Sequence, residues 1–420
     1  MITSRLTTAV TALTRYTKTD MKYFLGQSSW LLCGQLAIFI SSLTLVWFFA
    51  NHIEPADYGL YKYVLSLAVI ATTLSLTGYG VAVAKAISEG YAVDLLKILK
   101  IRFRYGFLGT MLFMSIGTYY WYHGNMLLCT IIVASALAIP FYETLSDYQF
   151  VLQGHRDFKR QALTRTFQRC LLVIGIVGVI LVTHNIIYVT LAFFVMSIIS
   201  QGSALFYTLH LYPPTNDTKT PYQTIRTYAN HLSIQNIFSM TVSQIDKVLL
   251  FKLLGPATFA GYFFAIAIPQ EIYGFIGNLS SVAFPKLANR TSPEFKRSFL
   301  KKVTLLSIIL IIPVVGYSLA APTLFSWLFP RYVDMVFVSQ LFVGTILFSP
   351  LFFCVQYFYA TGHTRASWAL NTLSPLLYLT SLLILTPLFG LMGVVAATYL
   401  RYSSDLVISL FFLSHHHQKQ

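Results

Sequence analysis

Residues 28–50 read SSWLLCGQLAIFISSLTLVWFFA, from Ser28 to Ala50 without one charged side chain. A helix of that length spans the hydrocarbon core of a bilayer, and the run is too long for a buried strand. A second uncharged block runs from Ala68 to Ala84, and comparable blocks recur along the chain. Over all 420 residues, 56% are hydrophobic and 10% charged, with a mean hydropathy of +0.66. Soluble domains are roughly one quarter charged, so a soluble interior does not account for this composition. The chain reads as an all-α integral membrane protein.

Twelve transmembrane helices are expected, near 28–50, 60–83, 105–122, 127–151, 170–183, 187–209, 229–253, 258–282, 303–321, 335–358, 368–386 and 390–412. The formal charge of +15, from 29 Lys and Arg against 14 acids, would suit nucleic acid if position were ignored. Apart from Lys62, Lys247, Lys252, Arg331 and Arg401, however, the basic residues fall in alternate short connections. That is the positive-inside pattern, so the charge reports orientation: both termini cytoplasmic, no nucleic-acid partner. Arg5, Arg15, Lys18 and Lys22 precede an uncharged segment longer than a signal peptide's apolar region, with no small-residue cleavage site after it, so the first span is expected to remain.

The expected organisation is a cytoplasmic segment 1–27, a first lobe 28–210, a linker 211–228 bearing Pro213, Pro214 and Pro221, a second lobe 229–412 and a cytoplasmic tail 413–420. Outer connections are short, the longest lying near Pro322 to Asp334, which argues against an enzyme with an outer catalytic domain. Glycine-rich phosphate loops, metal-ligand clusters and nucleophile elbows are absent, so no cofactor or metal is expected. Cys33, Cys129, Cys170 and Cys354 lack paired spacing and read as packing residues.

Halving the chain at the linker exposes a repeat. Pro55-Ala56-Asp57-Tyr58-Gly59-Leu60-Tyr61 aligns without a gap with Pro256-Ala257-Thr258-Phe259-Ala260-Gly261-Tyr262. The same offset pairs Gln35 with Asn236 and Ser42 with Ser243 in the preceding helices. Each half holds six spans starting on the same side, a parallel 6+6 repeat about an axis along the membrane normal.

Asn236, Ser239, Ser243 and Asp246 recur at helical spacing on the seventh span. Ser28, Gln35 and Ser42 do so on the first, and Glu271, Gly274, Asn278 and Ser281 on the eighth. These faces predict a cavity shared between the halves; the alternative is that Ser, Asn and Gln simply join neighbouring helices. Ionisable residues inside spans need a partner or a wet lumen. Arg401 and Asp405, at i and i+4, read as a structural pair, and Asp147 lies close enough to the cytoplasmic end to be solvated. Lys62 can snorkel or face the cavity. Asp246, Lys247 and Glu271 are the deepest, giving Lys247 and Lys62, with Gln35, Ser42, Asn236, Ser243 and Asn278, as candidate substrate-binding residues. Asp246 and Glu271 are the candidates for ion coupling.

Three motifs carry a resemblance to a family. They are Glu54 to Tyr61; Gln244-Ile245-Asp246-Lys247-Val248-Leu249-Leu250 with Gly255-Pro256 and Gly261-Tyr262; and Phe389-Gly390-Leu391-Met392-Gly393-Val394-Val395-Ala396-Ala397-Thr398. Together, and over nearly the whole length, the chain resembles the O-antigen and capsule unit flippases of the multidrug, oligosaccharidyl-lipid and polysaccharide exporter superfamily. The resemblance implies two six-helix lobes around a central cavity, alternating access, and export of a polyprenyl-pyrophosphate-linked oligosaccharide to the outer leaflet of a bacterial inner membrane. It also implies membrane lipids, a coupling H⁺ or Na⁺ and the polysaccharide polymerase machinery as partners. A drug or cation exporter of the same superfamily would favour a cavity without basic residues, against Lys247 and Lys62. A major facilitator transporter shares the span count, but the loop Lys85 to Arg104 lacks that family's signature. A membrane glycosyltransferase or polymerase is disfavoured by the missing outer domain.

Overall fold

The computed structural model describes residues 21–213, 222–287, 293–360 and 364–414, and every regular element among them is helical. In chain order these are α1 (Met21–His52), α2 (Pro55–Thr72), α3 (Gly78–Ser88), α4 (Leu95–Tyr122), α5 (Met126–Ala136), α6 (Ile139–Thr144), α7 (Tyr148–Gly154), α8 (Phe158–Thr183) and α9 (Ile186–Leu211). They continue with α10 (Tyr222–Leu254), α11 (Pro256–Leu287), α12 (Pro293–Ile309), α13 (Ile311–Leu328), α14 (Val336–Gly344), α15 (Leu351–Ala360), α16 (Thr364–Trp368), α17 (Ser374–Phe389) and α18 (Leu391–Ser414). Much of the predicted linker and both predicted terminal segments lie outside the described residues.

Helix limits follow local chemistry. Asp94 caps α4 by accepting from the Lys97 N–H at 3.1 Å, and Asn125 caps α5 by accepting from that of Leu128 at 3.1 Å. Gly255, at φ 78°, ends α10, and Pro256 starts α11; the left-handed residue and the proline are a stop and a start signal side by side.

Helices cover the predicted spans, but among the described residues six are long and apolar enough to cross a membrane, or eight if each of two bent pairs counts as one. Composition sets that number as much as length does. The helix α10 has 33 residues yet carries Arg226, Asp246, Lys247 and Lys252.

The chain forms two compact units. The first comprises Met1–Leu45, Ala71–Val179 and Ile187–Ile237; the second comprises Val46–Ile70, Ile180–Ile186 and Phe238–Gln420.

In the first unit, α3 is preceded by a 3₁₀ turn, Thr73–Ser75, and by Leu76 at φ 57°, which break it from the end of α2. A break frees backbone groups that lipid does not satisfy. Here the Arg102 Nε donates to the Ser75 carbonyl at 3.0 Å, and the Gly78 N–H donates to Ser233 Oγ at 3.1 Å. Around the break Tyr79, Val83, Leu95, Ile98, Leu99, Tyr148 and Leu152 form a buried apolar cluster. In the second unit Phe299, Leu351, Cys354, Tyr357, Phe358 and Leu370 form another.

Candidate functional site

Each unit carries its own set of buried charges, and the two sets differ in kind. In the first unit Arg102, on the buried face of α4, is 1% exposed and forms an ion pair with the fully buried Asp147. Glu143 lies one helical turn before Asp147, close enough to feel both charges. The expectation that Asp147 is solvated is therefore corrected: the 3₁₀ turn after α6 carries it into the unit's interior, where Arg102 neutralises it. Arg169, on α8, donates from Nη2 to Ser42 Oγ at 2.9 Å, while its Nε is buried without a hydrogen-bond partner.

Neither arginine was singled out by the sequence, because both read as loop charges. A signal existed for Arg102. Asp94 is a helix cap, and Leu95, Ile98, Leu99 and Arg102 follow at helical spacing, putting the arginine on the apolar face.

In the second unit Asp246, on α10, is 8% exposed. It lies near the charges of Lys247 and Arg401 and near the Tyr378 hydroxyl. Its Oδ1 accepts from the Lys247 backbone N–H at 2.7 Å. The Lys247 ammonium points elsewhere, donating to Gln244 Oε1 at 2.8 Å, and makes no ion pair among the described residues. Arg401 lies 5.2 Å over the Tyr378 ring, with its Nε buried and unpartnered. Arg401 and Asp405 form no direct ion pair among the described residues, but each lies near the other's charge, and the Tyr378 ring lies under the guanidinium. Glu271 is half-buried on α11, two residues before Tyr273, which packs on Phe352 and Tyr402.

The remaining predicted residues are dispersed. Ser42 is buried under Arg169, and Asn236 donates to Thr77 Oγ1 at 3.2 Å beside the helix break, so both join helices within the first unit. Gln35 is half-buried on α1. Ser243 is exposed and bonds the Met240 carbonyl of its own helix at 2.8 Å. The Lys62 ammonium lies 5.0 Å from the Phe263 ring and 5.3 Å from that of Tyr58. The side chain of Asn278 lies outside the described residues.

The two repeated turns meet inside the second unit. A side chain at Gly59 would run into the Pro256 carbonyl, so the close approach requires glycine. Tyr58 packs on Phe264 at 4.7 Å and Tyr63 stacks on Phe251 at 4.0 Å. Asn51 Nδ2 donates to the Leu328 carbonyl at 3.2 Å, and Arg331 Nη1 donates to that of Ile53 at 3.3 Å. These reciprocal bonds clasp the end of α1 to the end of α13. An open pocket of about 570 Å³ lies beside the clasp, lined by His52, Glu54, Pro55, Asp57, His184 and Arg331.

A family model described as "Polysaccharide biosynthesis protein" matches residues 24–291. The chain belongs to that family. Among solved structures, the fold of this family member is similar to an inward-facing multidrug resistance MATE transporter of the MOP superfamily, at 16% identity and a TM-score of 0.70, covering 90% of this chain and 96% of that one. It is also similar to the lipid II flippase MurJ in an inward closed conformation, at 14% identity and a TM-score of 0.64, covering 91% and 87%. A MOP superfamily transporter from Pyrococcus furiosus matches at 14% identity and a TM-score of 0.66, covering 91% and 92%. At these identities the likeness shows the fold, a helical membrane-transporter fold. No curated protein matches the chain.

Proposed function

We propose that the chain is a flippase that carries a polyprenyl-pyrophosphate-linked oligosaccharide, an O-antigen or capsule repeat unit, from the cytoplasmic to the outer leaflet of a bacterial inner membrane. It does so without enzymatic chemistry, as twelve spans in two six-helix lobes, with both termini cytoplasmic. The observation that carries this reading is Lys247, a cation set in an apolar second unit with a neutral glutamine as its side-chain partner. Asp246 lies beside it, but the ammonium makes no ion pair with that carboxylate among the described residues, which leaves it able to meet a second anion for part of the cycle. A pyrophosphate is such an anion, and the family match supports a lipid-linked sugar as its bearer. The shared fold does not choose between a drug and a lipid-linked glycan; the polysaccharide biosynthesis family supports the glycan.

In this mechanism Lys247 holds the anion near the membrane midplane, where a fixed positive charge acts more strongly than in water. Asp246 and Glu271 respond to a proton or Na⁺. A carboxylate more hydrated in one conformation than in the other binds the ion unequally and so biases the exchange between inward-open and outward-open states. The Gly59 and Pro256 turns close the outer mouth while the inner one is open.

The test is complementation of a strain lacking the exporter, with membrane abundance measured in parallel. Lys247→Ala should abolish surface glycan at normal abundance, and Lys247→Arg should restore part of it. Full export by Lys247→Ala would overturn the role assigned to the lysine.

A further inference from the structure

The pocket beside the clasp holds two histidines that the proposed transport cycle does not use. His52 ends α1, and His184 lies in the connection between α8 and α9. Their ring centroids are 6.1 Å apart with the planes tilted by 36°. The His184 backbone is left-handed, at φ 49°, a conformation uncommon for a non-glycine residue. The His52 Nδ1 lies 3.2 Å from the Phe48 carbonyl, and its ring stacks 5.4 Å from that of Phe48.

Glu54 and Asp57 line the same pocket from the turn into α2, and Arg331 lines it from the segment after α13. Asp334 is exposed on that segment and is not among the lining residues; the Lys62 ammonium is engaged by the Tyr58, Tyr61 and Phe263 rings. With neutral histidines, two carboxylates thus face one guanidinium. The lining then carries one excess negative charge, with its two carboxylates three residues apart on a single turn.

We propose that protonation at His52 and His184, which line one pocket with Glu54 and Asp57, tightens the clasp. Histidine is the side chain whose charge ordinarily changes between pH 5 and 8. One proton brings the lining to formal neutrality and replaces carboxylate repulsion with attraction. The clasp is the place where such a gain matters, because the Arg331 and Asn51 bonds and the Gly59 contact all tie the same end of α1 and the turn after it. In the orientation of the proposed flippase this face is the outer one, so the site reads external acidity. That clause rests on the flippase reading; proton binding itself does not.

The test is hydrogen exchange of the full chain in lipid nanodiscs without substrate, with rates corrected for the intrinsic effect of pH. Between pH 7.5 and 5.5, protection of segments 50–61, 180–186 and 328–335 should rise about three-fold or more. Segment 95–122, distant in sequence, serves as the folding control. The rise should vanish in the pair His52→Gln with His184→Gln and shrink in each single variant. Glu54→Gln with Asp57→Asn should reverse its sign, since acid then only adds repulsion. A wild-type clasp indifferent to pH would overturn the proposal, and so would an unchanged rise in the double histidine variant with its control segment intact. Neither outcome depends on transport, so failed complementation by Lys247→Ala bears on the flippase reading alone.

Discussion

Arg102 in the first unit and Lys247 in the second are both cations set among apolar helices, and their surroundings are opposite. Arg102 is ion-paired to Asp147 and also closes a broken helix through the Ser75 carbonyl. Lys247 has the Gln244 amide oxygen as its side-chain partner, and the nearby Arg401 rests on a tyrosine ring. A charge neutralised inside the fold holds the fold together and is spent there. A charge whose ammonium makes no ion pair among the described residues, with Asp246 only nearby, adds less to stability and is more available to a ligand. The contrast teaches where to look: not at the most buried cation, but at the one whose charged group is not itself paired.

The sharpest way to break the comparison is Arg102→Ala. It strands Asp147 in the interior and releases the Ser75 carbonyl, at a cost of about 3–5 kcal/mol for breaking a buried pair. Thermal unfolding and membrane abundance should both collapse, and Asp147→Asn in the same chain should recover part of the loss. An Arg102→Ala protein as stable as the parent would end the distinction. Next comes Lys247→Ala, which should leave the unfolding midpoint no lower than the parent's while export falls to background. Loss of stability in step with loss of export would make Lys247 another structural cation.

Gly59→Ala should have an intermediate effect. A methyl group against the Pro256 carbonyl forces the turns apart, and overpacking of this kind costs about 1–3 kcal/mol. A cysteine pair at Asp57 and Thr258, in a chain freed of its own cysteines, should crosslink in the parent background and crosslink less once Gly59 is replaced. Glu271→Gln should leave fold and abundance unchanged and remove the response of vesicle transport to an imposed pH or Na⁺ gradient. Transport by the parent that ignores both gradients would exclude the coupling role.

The smallest effect belongs to the rim of the first unit. There His155 stacks on Tyr212 at 4.0 Å, and the Tyr212 hydroxyl donates to Asp157 Oδ2 at 3.1 Å. Burial holds the His155 imidazole below the usual histidine range, partly offset by Asp157. The folded state therefore favours the neutral ring. Its contribution is present above the usual histidine range and is lost as pH falls through the lowered value. Because the ring is largely exposed, the melting temperature should drop only slightly more between pH 7.5 and 5.5 in the parent than in His155→Gln. A smaller drop in the parent than in the variant would reverse the sign.

Hydropathy made the helical class and most helix positions legible, because bilayer-length apolar runs leave few alternatives, and the family was legible through its resembling motifs. The break at Leu76 was not legible. No proline marks it, and it is held by groups remote in sequence, Arg102 and Ser233. The polar face of the seventh span was legible as polar but not as to purpose. Asn236 meets Thr77 and Asp246 faces Arg401 and Tyr378, whereas Ser243 is exposed. Spacing states which residues share a face of a helix; it does not state what stands opposite each of them.

The Gly59 contact bears on how the two halves could have diverged. At the equivalent place in the second copy stands Ala260, itself fully buried, while Pro256 presses on Gly59 from the same copy. A duplicated turn that meets its own twin off-centre puts unequal demands on the two partners: one must stay bare, and the other is free to grow a side chain. Identical turns would therefore pack poorly against one another. A chimera with the second turn grafted onto the first would place a methyl group at the point of closest approach, so the asymmetry between the copies belongs to how the closed end is built.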